Sequence, residues 1–317
     1  MSIRSNAVLA QVTHESTGAI DESVQFAISD ELTCHFDAGK QTLWTRMTPR
    51  NIPCFTARLL HDMERGSQLV ESHFALNADN QTLGYIVLQS GIPRVFNLGG
   101  DFGRFLQLIA AQDRESLIDY AQMAVNVVYR NYTSHNLTGV TTIALMEGDA
   151  LGGGFECALS CDLVIAERQV KCGFPEVLFD MFPGMGALSF LARRCPRKIV
   201  QELTRTGRQY SVDELHEMGV VDVVAEPGGG VEAVKQLIAR RHGQKKGHDA
   251  MNSIDRMLYP ITLKELYDIV DIWVTSALTL SSRGQEWMRR LHMQQLRAFG
   301  GMSAGNGGVL RPVPTSN

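Results

Sequence analysis

Leu151-Gly152-Gly153-Gly154-Phe155-Glu156 stands between two apolar runs, Thr141-Thr142-Ile143-Ala144-Leu145-Met146 and Asp162-Leu163-Val164-Ile165-Ala166. Short runs of this kind read as strands covered on both faces. The glycine triplet between them launches a short helix that carries one glutamate. Upstream the alternation repeats. Residues 83–88 and 95–98 read as strands, Gly99-Gly100-Asp101 as a loop, and residues 104–130 as one long helical pattern. Before these, residues 22–36 begin a strand-like alternation and 41–47 read as a strand stopped by Pro49. Residues 55–74 have helical spacing. Strands alternating with helices predict an α/β fold with a mostly parallel core.

A second glutamate follows twenty residues after the first, in Lys171-Cys172-Gly173-Phe174-Pro175-Glu176. Both lie in strongly apolar stretches, where an unpaired carboxylate is costly to bury. Two carboxylates in a dry pocket are pushed apart in pKa, so that one serves as acid and the other as base. Gly99-Gly100 and Gly152-Gly153 each follow a strand, and the Gly100 and Gly153 amides are expected to converge on one oxygen as an oxyanion hole. Such a hole stabilises the charge that develops on a thioester carbonyl. The pattern is not G-x-G-x-x-G or Walker A, which counts against dinucleotide or nucleotide binding. No Gly-x-Ser-x-Gly elbow accompanies any of the nine histidines.

After Glu176 the character turns helical. Residues 189–194, 197–206, 231–241 and 261–298 have helical patterns, and Ser211-Val212-Asp213-Glu214 reads as a capping box. Leu266, Ile269, Val270, Trp273, Ala277 and Leu280 make one apolar stripe, suited to core or subunit packing or to a wall over an apolar chain. The domain reading is an N-terminal extension over 1–25, a core over 26–225, a helical region over 226–299 and a disordered tail over 300–317.

The 317 residues are 44% hydrophobic and 20% charged, as in a globular protein, and the net charge of −4 implies no general nucleic-acid affinity. The basic clusters Arg193-Arg194 with Arg197-Lys198, and Arg240-Arg241 with Lys245-Lys246, read as solvated helix ends or as a docking surface for an acidic carrier. Six scattered cysteines form no zinc set and read as buried free thiols. With no secretory signal pattern and no membrane-length apolar run, the expectation is a cytoplasmic protein without metal or cofactor.

From about residue 40 to 225 the sequence resembles the crotonase (enoyl-CoA hydratase/isomerase) family. The resemblance rests on Phe96-Asn97-Leu98-Gly99-Gly100-Asp101, on Glu147 to Glu156 and on Cys161-Asp162-Leu163-Val164-Ile165-Ala166. It continues through Gly173-Phe174-Pro175-Glu176, Phe182-Pro183-Gly184-Met185-Gly186-Ala187 and Leu203 to Arg208. It implies a spiral of ββα repeats with a helical C-terminal region, assembled as trimers or hexamers. It also implies catalytic roles for Glu156 and Glu176, an oxyanion hole from Gly100 and Gly153, and substrate contacts from Gly99, Leu151, Gly152 and Trp273. The segment from Tyr259 to Arg290, with Ala158 to Arg168 and Pro175 to Gly186, is most similar to the diffusible-signal-factor synthases. Those enzymes dehydrate a 3-hydroxyacyl-acyl carrier protein and hydrolyse the thioester to free a cis-2-unsaturated fatty acid signal, and a sensor or receptor domain can restrain them. The alternatives are an ordinary enoyl-CoA hydratase or isomerase on CoA thioesters, a non-catalytic crotonase-fold partner of a sensor protein, and a dinucleotide oxidoreductase.

Overall fold

A computed structural model describes residues 23–76 and 82–303. Most of the expected 1–25 extension lies outside the described residues, as does the expected 300–317 tail except for 300–303, which are not disordered but end the last helix (Ser282–Ser303).

The N-terminal strands β1 (Ser23–Ala27), β2 (Leu32–Asp37) and β3 (Thr42–Met47) form an antiparallel meander. After helix α1 (Ala57–Leu76) the sheet continues in parallel through β4 (Tyr85–Ser90), β6 (Thr141–Met146), β8 (Leu163–Glu167) and β11 (Val223–Ala225), giving seven strands in the order β1-β2-β3-β4-β6-β8-β11. A second sheet is made of three-residue strands, β5 (Val95–Asn97), β7 (Asp149–Leu151), β9 (Lys171–Gly173) and β10 (Gln209–Ser211), in the order β10-β9-β7-β5. Three successive turns of the chain, β4/β5, β6/β7 and β8/β9, therefore each lay one strand in the large sheet and the next in the small one, then enter helix or turn. This is the expected α/β spiral of ββα repeats. All six residues of β6 are buried, as the unbroken apolar run implied.

The helices are α2 (Phe102–Ala110), α3 (Arg114–Tyr132), α4 (Gly153–Leu159), α5 (Ala187–Arg194), α6 (Arg197–Arg205), α7 (Val212–Glu217), α8 (Gly230–Arg241), α9 (Lys245–Leu258), α10 (Leu263–Leu278) and α11 (Ser282–Ser303). α8 covers one face of the large sheet with Val234, Leu237 and Ile238 on Trp44, Val87, Ile143, Leu145 and Ile165. The main core fills the other face. There α4 is wedged between the sheets with every residue buried. α10 packs on α3 and α11 on α2, so the C-terminal helices fold back over the end of the spiral that carries the glycine turns.

Two long helical patterns are broken. The 104–130 pattern divides because Asp113 accepts from Ser116 N at 3.0 Å and caps α3, while Gln112 takes a left-handed φ of 53°. The 261–298 pattern divides at Thr279–Ser281, where Ser281 Oγ accepts from Gly284 N at 3.2 Å. The capping box at Ser211 forms: Ser211 Oγ accepts from Glu214 N, and Glu214 Oε2 accepts from Ser211 N at 2.8 Å. All six cysteines are buried free thiols. Among the described residues no helix is long and apolar enough to cross a membrane.

Candidate active site

The two glycine turns meet where β5 and β7 end side by side. Gly99 takes φ +86°, and a Cβ there would lie 3.0 Å from both Gly153 N and Leu151 O, so the turn admits no side chain. A Cβ on Gly153 would lie 3.8 Å from Gly100 N. The two backbones thus touch without a side chain between them. A Cβ on Gly152 would collide with Glu176 Oε1, and one on Gly154 with Asn97 O. The glycine triplet is needed for close approach on three sides.

The hydrogen bonds of the first turn can be followed atom by atom. Leu98 N donates to Pro53 O at 2.8 Å, and Phe55 N donates to Gly99 O at 2.8 Å. Gly99 N donates to Asn97 Oδ1 at 2.8 Å, and Asp101 N to Tyr120 Oη at 3.1 Å. Leu98 O and Gly100 O both accept from Gln295 Nε2, at 3.2 and 3.0 Å. Gly100 N has no acceptor among the described residues. Gly153 N, at the first position of α4, also has none. Two free N–H groups in adjacent backbones are what an oxyanion hole requires.

Glu156 is 1% exposed. Its Oε2 accepts from Met185 N at 2.8 Å and Ala187 N at 2.7 Å, at the start of α5. Burial pushes its carboxyl up to about 7 against the opposing effect of these bonds. Glu176 sits in a 3-10 turn over Pro175–Phe179, with Pro175 at the first position, as its rigid backbone favours. The residue is half-buried, yet its Oε2 is shielded from solvent and has no partner among the described residues. Its carboxyl is pushed well above the usual range, first by burial and then by the neighbouring Glu156 charge. The better-bonded Glu156 is therefore the first of the pair to ionise, as pH rises through about 7, while Glu176 keeps its proton.

Gly99, Gly100, Gly152, Gly153, Glu156, Glu176 and Trp273 all line one narrow cavity. Its apolar wall comes from α2, α3, α10 and α11 through Phe102, Phe105, Tyr120, Ala124, Trp273 and Met288. Leu151 faces instead a wider adjoining groove, bounded by Lys171, Arg208, Trp287 and Leu291, which shares Leu98, Phe102 and Pro175 with the cavity. Sequence reasoning missed Asn97, Tyr120 and Gln295, which hold the first turn, and the Met185 and Ala187 amides on Glu156. The motifs Phe96 to Asp101, which contains Asn97, and Phe182 to Ala187, which contains Met185 and Ala187, were the signals for three of these; Tyr120 and Gln295 had none. Taken together, the cavity can polarise a carbonyl at its mouth and move protons at the carbons beside it.

The family described as enoyl-CoA hydratase/isomerase matches residues 59–250. YngF of Bacillus subtilis (strain 168) is 27% identical over 218 residues, 69% of this chain and 75% of that protein. The human mitochondrial enoyl-CoA hydratase domain-containing protein 2 is 32% identical over 158 residues, 49% of this chain and 50% of its own length, so the likeness spans about half of that relative. The crystal structure of enoyl-CoA hydratase from Bacillus halodurans superposes with a TM-score of 0.68 at 20% identity, covering 82% of this chain and 100% of that one. Pseudomonas aeruginosa DspI superposes with a TM-score of 0.60 at 20% identity, covering 82% and 98%. With well over half of its residues matched, the chain belongs to the crotonase, or enoyl-CoA hydratase/isomerase, family.

Proposed function

We propose that this protein moves water across the C2–C3 bond of an acyl thioester. The observation that carries the reading is the pair of free amides, Gly100 N and Gly153 N, beside two buried carboxylates of unequal proton affinity. The thioester oxygen accepts from both amides, which stabilises the charge that builds on it as C2 gains or loses a proton. In hydration the Glu156 carboxylate takes a proton from the water that attacks C3, and the Glu176 carboxyl delivers its proton to C2. In dehydration each step runs backwards: the C2 proton passes to Glu176, and the 3-hydroxyl departs as water with a proton from Glu156.

The finer reading is a diffusible-signal-factor synthase. Its support is the sequence resemblance over Tyr259–Arg290 and the apolar wall that α10 and α11 add to the cavity through Trp273 and Met288. On this reading the substrate is a 3-hydroxyacyl-acyl carrier protein of about 12 carbons, each buried methylene contributing about 0.8 kcal/mol. Water then attacks the same carbonyl in the same hole, the C–S bond breaks, and the free cis-2-enoic acid leaves with the carrier thiol regenerated. The second reading, an ordinary hydratase on CoA thioesters, is favoured by the family match over residues 59–250. For the expected trimer or hexamer, the exposed Met251, Ile254, Met257, Leu258 and Tyr259 of α9 and its end offer an apolar face. A regulatory sensor domain is part of the finer reading.

The test is mass spectrometry of purified protein with 3-hydroxydodecanoyl-acyl carrier protein and, separately, 2-enoyl-CoA. Free cis-2-dodecenoic acid supports the synthase. Hydration of the CoA thioester with the carrier substrate untouched selects the ordinary hydratase, and inertness on both rejects the common reading.

A further inference from the structure

The last helix bears on the site through more than apolar contact. α11 gives Met288 to the cavity, and Trp287, Leu291 and Gln295 to the groove beside it. Gln295 differs from those three in being polar, although it is only 2% exposed. Its Nε2 reaches across the first glycine turn to Leu98 O at 3.2 Å and Gly100 O at 3.0 Å. Those two acceptors fix the orientation of the amide, because the flipped side chain would set its oxygen against two carbonyl oxygens. Gln295 Oε1 is then left shielded from solvent with no partner among the described residues. An unpaired buried acceptor costs about 1–3 kcal/mol, and an apolar side chain of the same shape would avoid that cost. Packing alone therefore gives no reason for a glutamine here.

The reason lies in which peptide groups it holds. Gly100 N–H belongs to the Gly99–Gly100 peptide, whose carbonyl is held by Phe55 N. Gln295 holds the carbonyls of the peptide before it, Leu98–Gly99, and of the peptide after it, Gly100–Asp101. Two consecutive glycines give this turn no side chains of its own to brace it, and Gly99 already sits at φ +86°. The amide bridges the turn and restricts rotation of the peptide between. We propose that Gln295 is a positioning residue for the oxyanion-hole N–H of Gly100, so that docking of the last helix sets the rate of the chemical step. The proposal rests on the thioester reading of the site given above. A misplacement of about 1 Å in such a hole is enough to lower turnover by about 10²-fold.

The experiment compares the full-length protein with its Gln295→Leu and Gln295→Glu variants. Amide hydrogen exchange at Phe55 and Asp101 is read on the free protein, and kcat and KM with a 2-enoyl thioester are read separately. The expected result for Gln295→Leu is a preserved unfolding midpoint, exchange faster by 10-fold or more, and kcat lower by about 10–100-fold with KM little changed. Gln295→Glu keeps one donor only while its carboxyl is protonated, so its kcat relative to the parent should recover as pH falls, a signature that a packing role would not produce. A folded Gln295→Leu protein with unchanged kcat overturns the proposal, as does a loss explained wholly by lower stability. A parent protein inert on every thioester overturns the thioester reading instead, and faster exchange in the variant would still report the clamp.

Discussion

Replacing Glu156 by glutamine tests the electrostatics of the site without reference to a substrate. The side chain keeps its shape, and an amide oxygen can still accept from Met185 N and Ala187 N. What disappears is a buried charge. Glu156 is raised from 4.5 to about 7 by burial, and at roughly 1.4 kcal/mol per pH unit this gap corresponds to about 3 kcal/mol. The folded state holds the proton up to about pH 7, whereas the unfolded chain releases it near 4.5. Between those values the folded state binds more protons than the unfolded state, so stability falls as pH rises. Glu176 is raised first by its own burial, which both proteins share, and the variant loses only the smaller contribution from the Glu156 charge. Glu156→Gln should therefore match the parent near pH 4.5 and gain on it through the window from 4.5 to 7. Above pH 7 it should stay ahead by about 3 kcal/mol while losing about 10²–10⁴-fold in activity. Urea denaturation at half-unit pH intervals reads the difference directly. Parallel curves for the two proteins across the window would refute a raised Glu156, and with it the division of labour between the two carboxyls.

Glu176→Gln removes the proton that goes to C2, and should lower water addition by about 10²–10⁴-fold. If the protein also hydrolyses 2-enoyl thioesters, that step should survive in part, since it needs the hole and a base, while a thiolate leaves with little help; equal loss of both steps would show that they share Glu176. In Gly153→Ala the new methyl would lie 3.1 Å from Met185 Sδ and 3.8 Å from Gly100 N, inside the hole; turnover should fall about 10²–10³-fold while the thermal midpoint barely moves. Trp273→Ala removes a ring 5.0 Å from that of Phe105 and should destabilise by about 3–5 kcal/mol in denaturant titration. A variant as stable as the parent would contradict the packed wall at Trp273.

What could be read from the chain, and what could not, follows the range of the interactions. The buried strands Tyr85–Ser90 and Thr141–Met146 were legible because being covered on both faces leaves a continuous apolar run. The small sheet was mostly hidden, since strands of three residues such as Lys171–Gly173 are too short to show a period. Helix α9 was also missed; none of its residues is buried, so the core imposes no stripe on it. Glu156 and Glu176 stood out because glycine and proline next to an acid in apolar sequence are locally unusual. Tyr120 and Gln295 did not, since each is a single polar residue in an ordinary helical pattern. Gln295 reaches Gly100 across 195 positions, a pairing that only the closing of α11 over the spiral creates.

On the proposed reading, the state with charge on Glu156 and the proton on Glu176 is the one that adds water, but it does not choose the direction the protein runs. Moving that single proton from Glu176 to Glu156 gives the state that removes water, and the two states carry the same total charge. They titrate as one species, so the acid limb near pH 7 belongs to the pair in both directions. The ratio of the two directions is fixed by the equilibrium between the thioesters, which the protein cannot alter. A net flow toward the enoyl product therefore needs something to withdraw that product. Hydrolysis of the thioester in the same Gly100/Gly153 hole would do so, because breaking the C–S bond removes the enoyl thioester from the equilibrium. A dehydratase of this design gains its direction from a second step, and the carbonyl-polarising amides serve both steps without any further residue. The signal-synthase and hydratase readings differ in whether water reaches that carbonyl, and the two carboxyls do the same work in either.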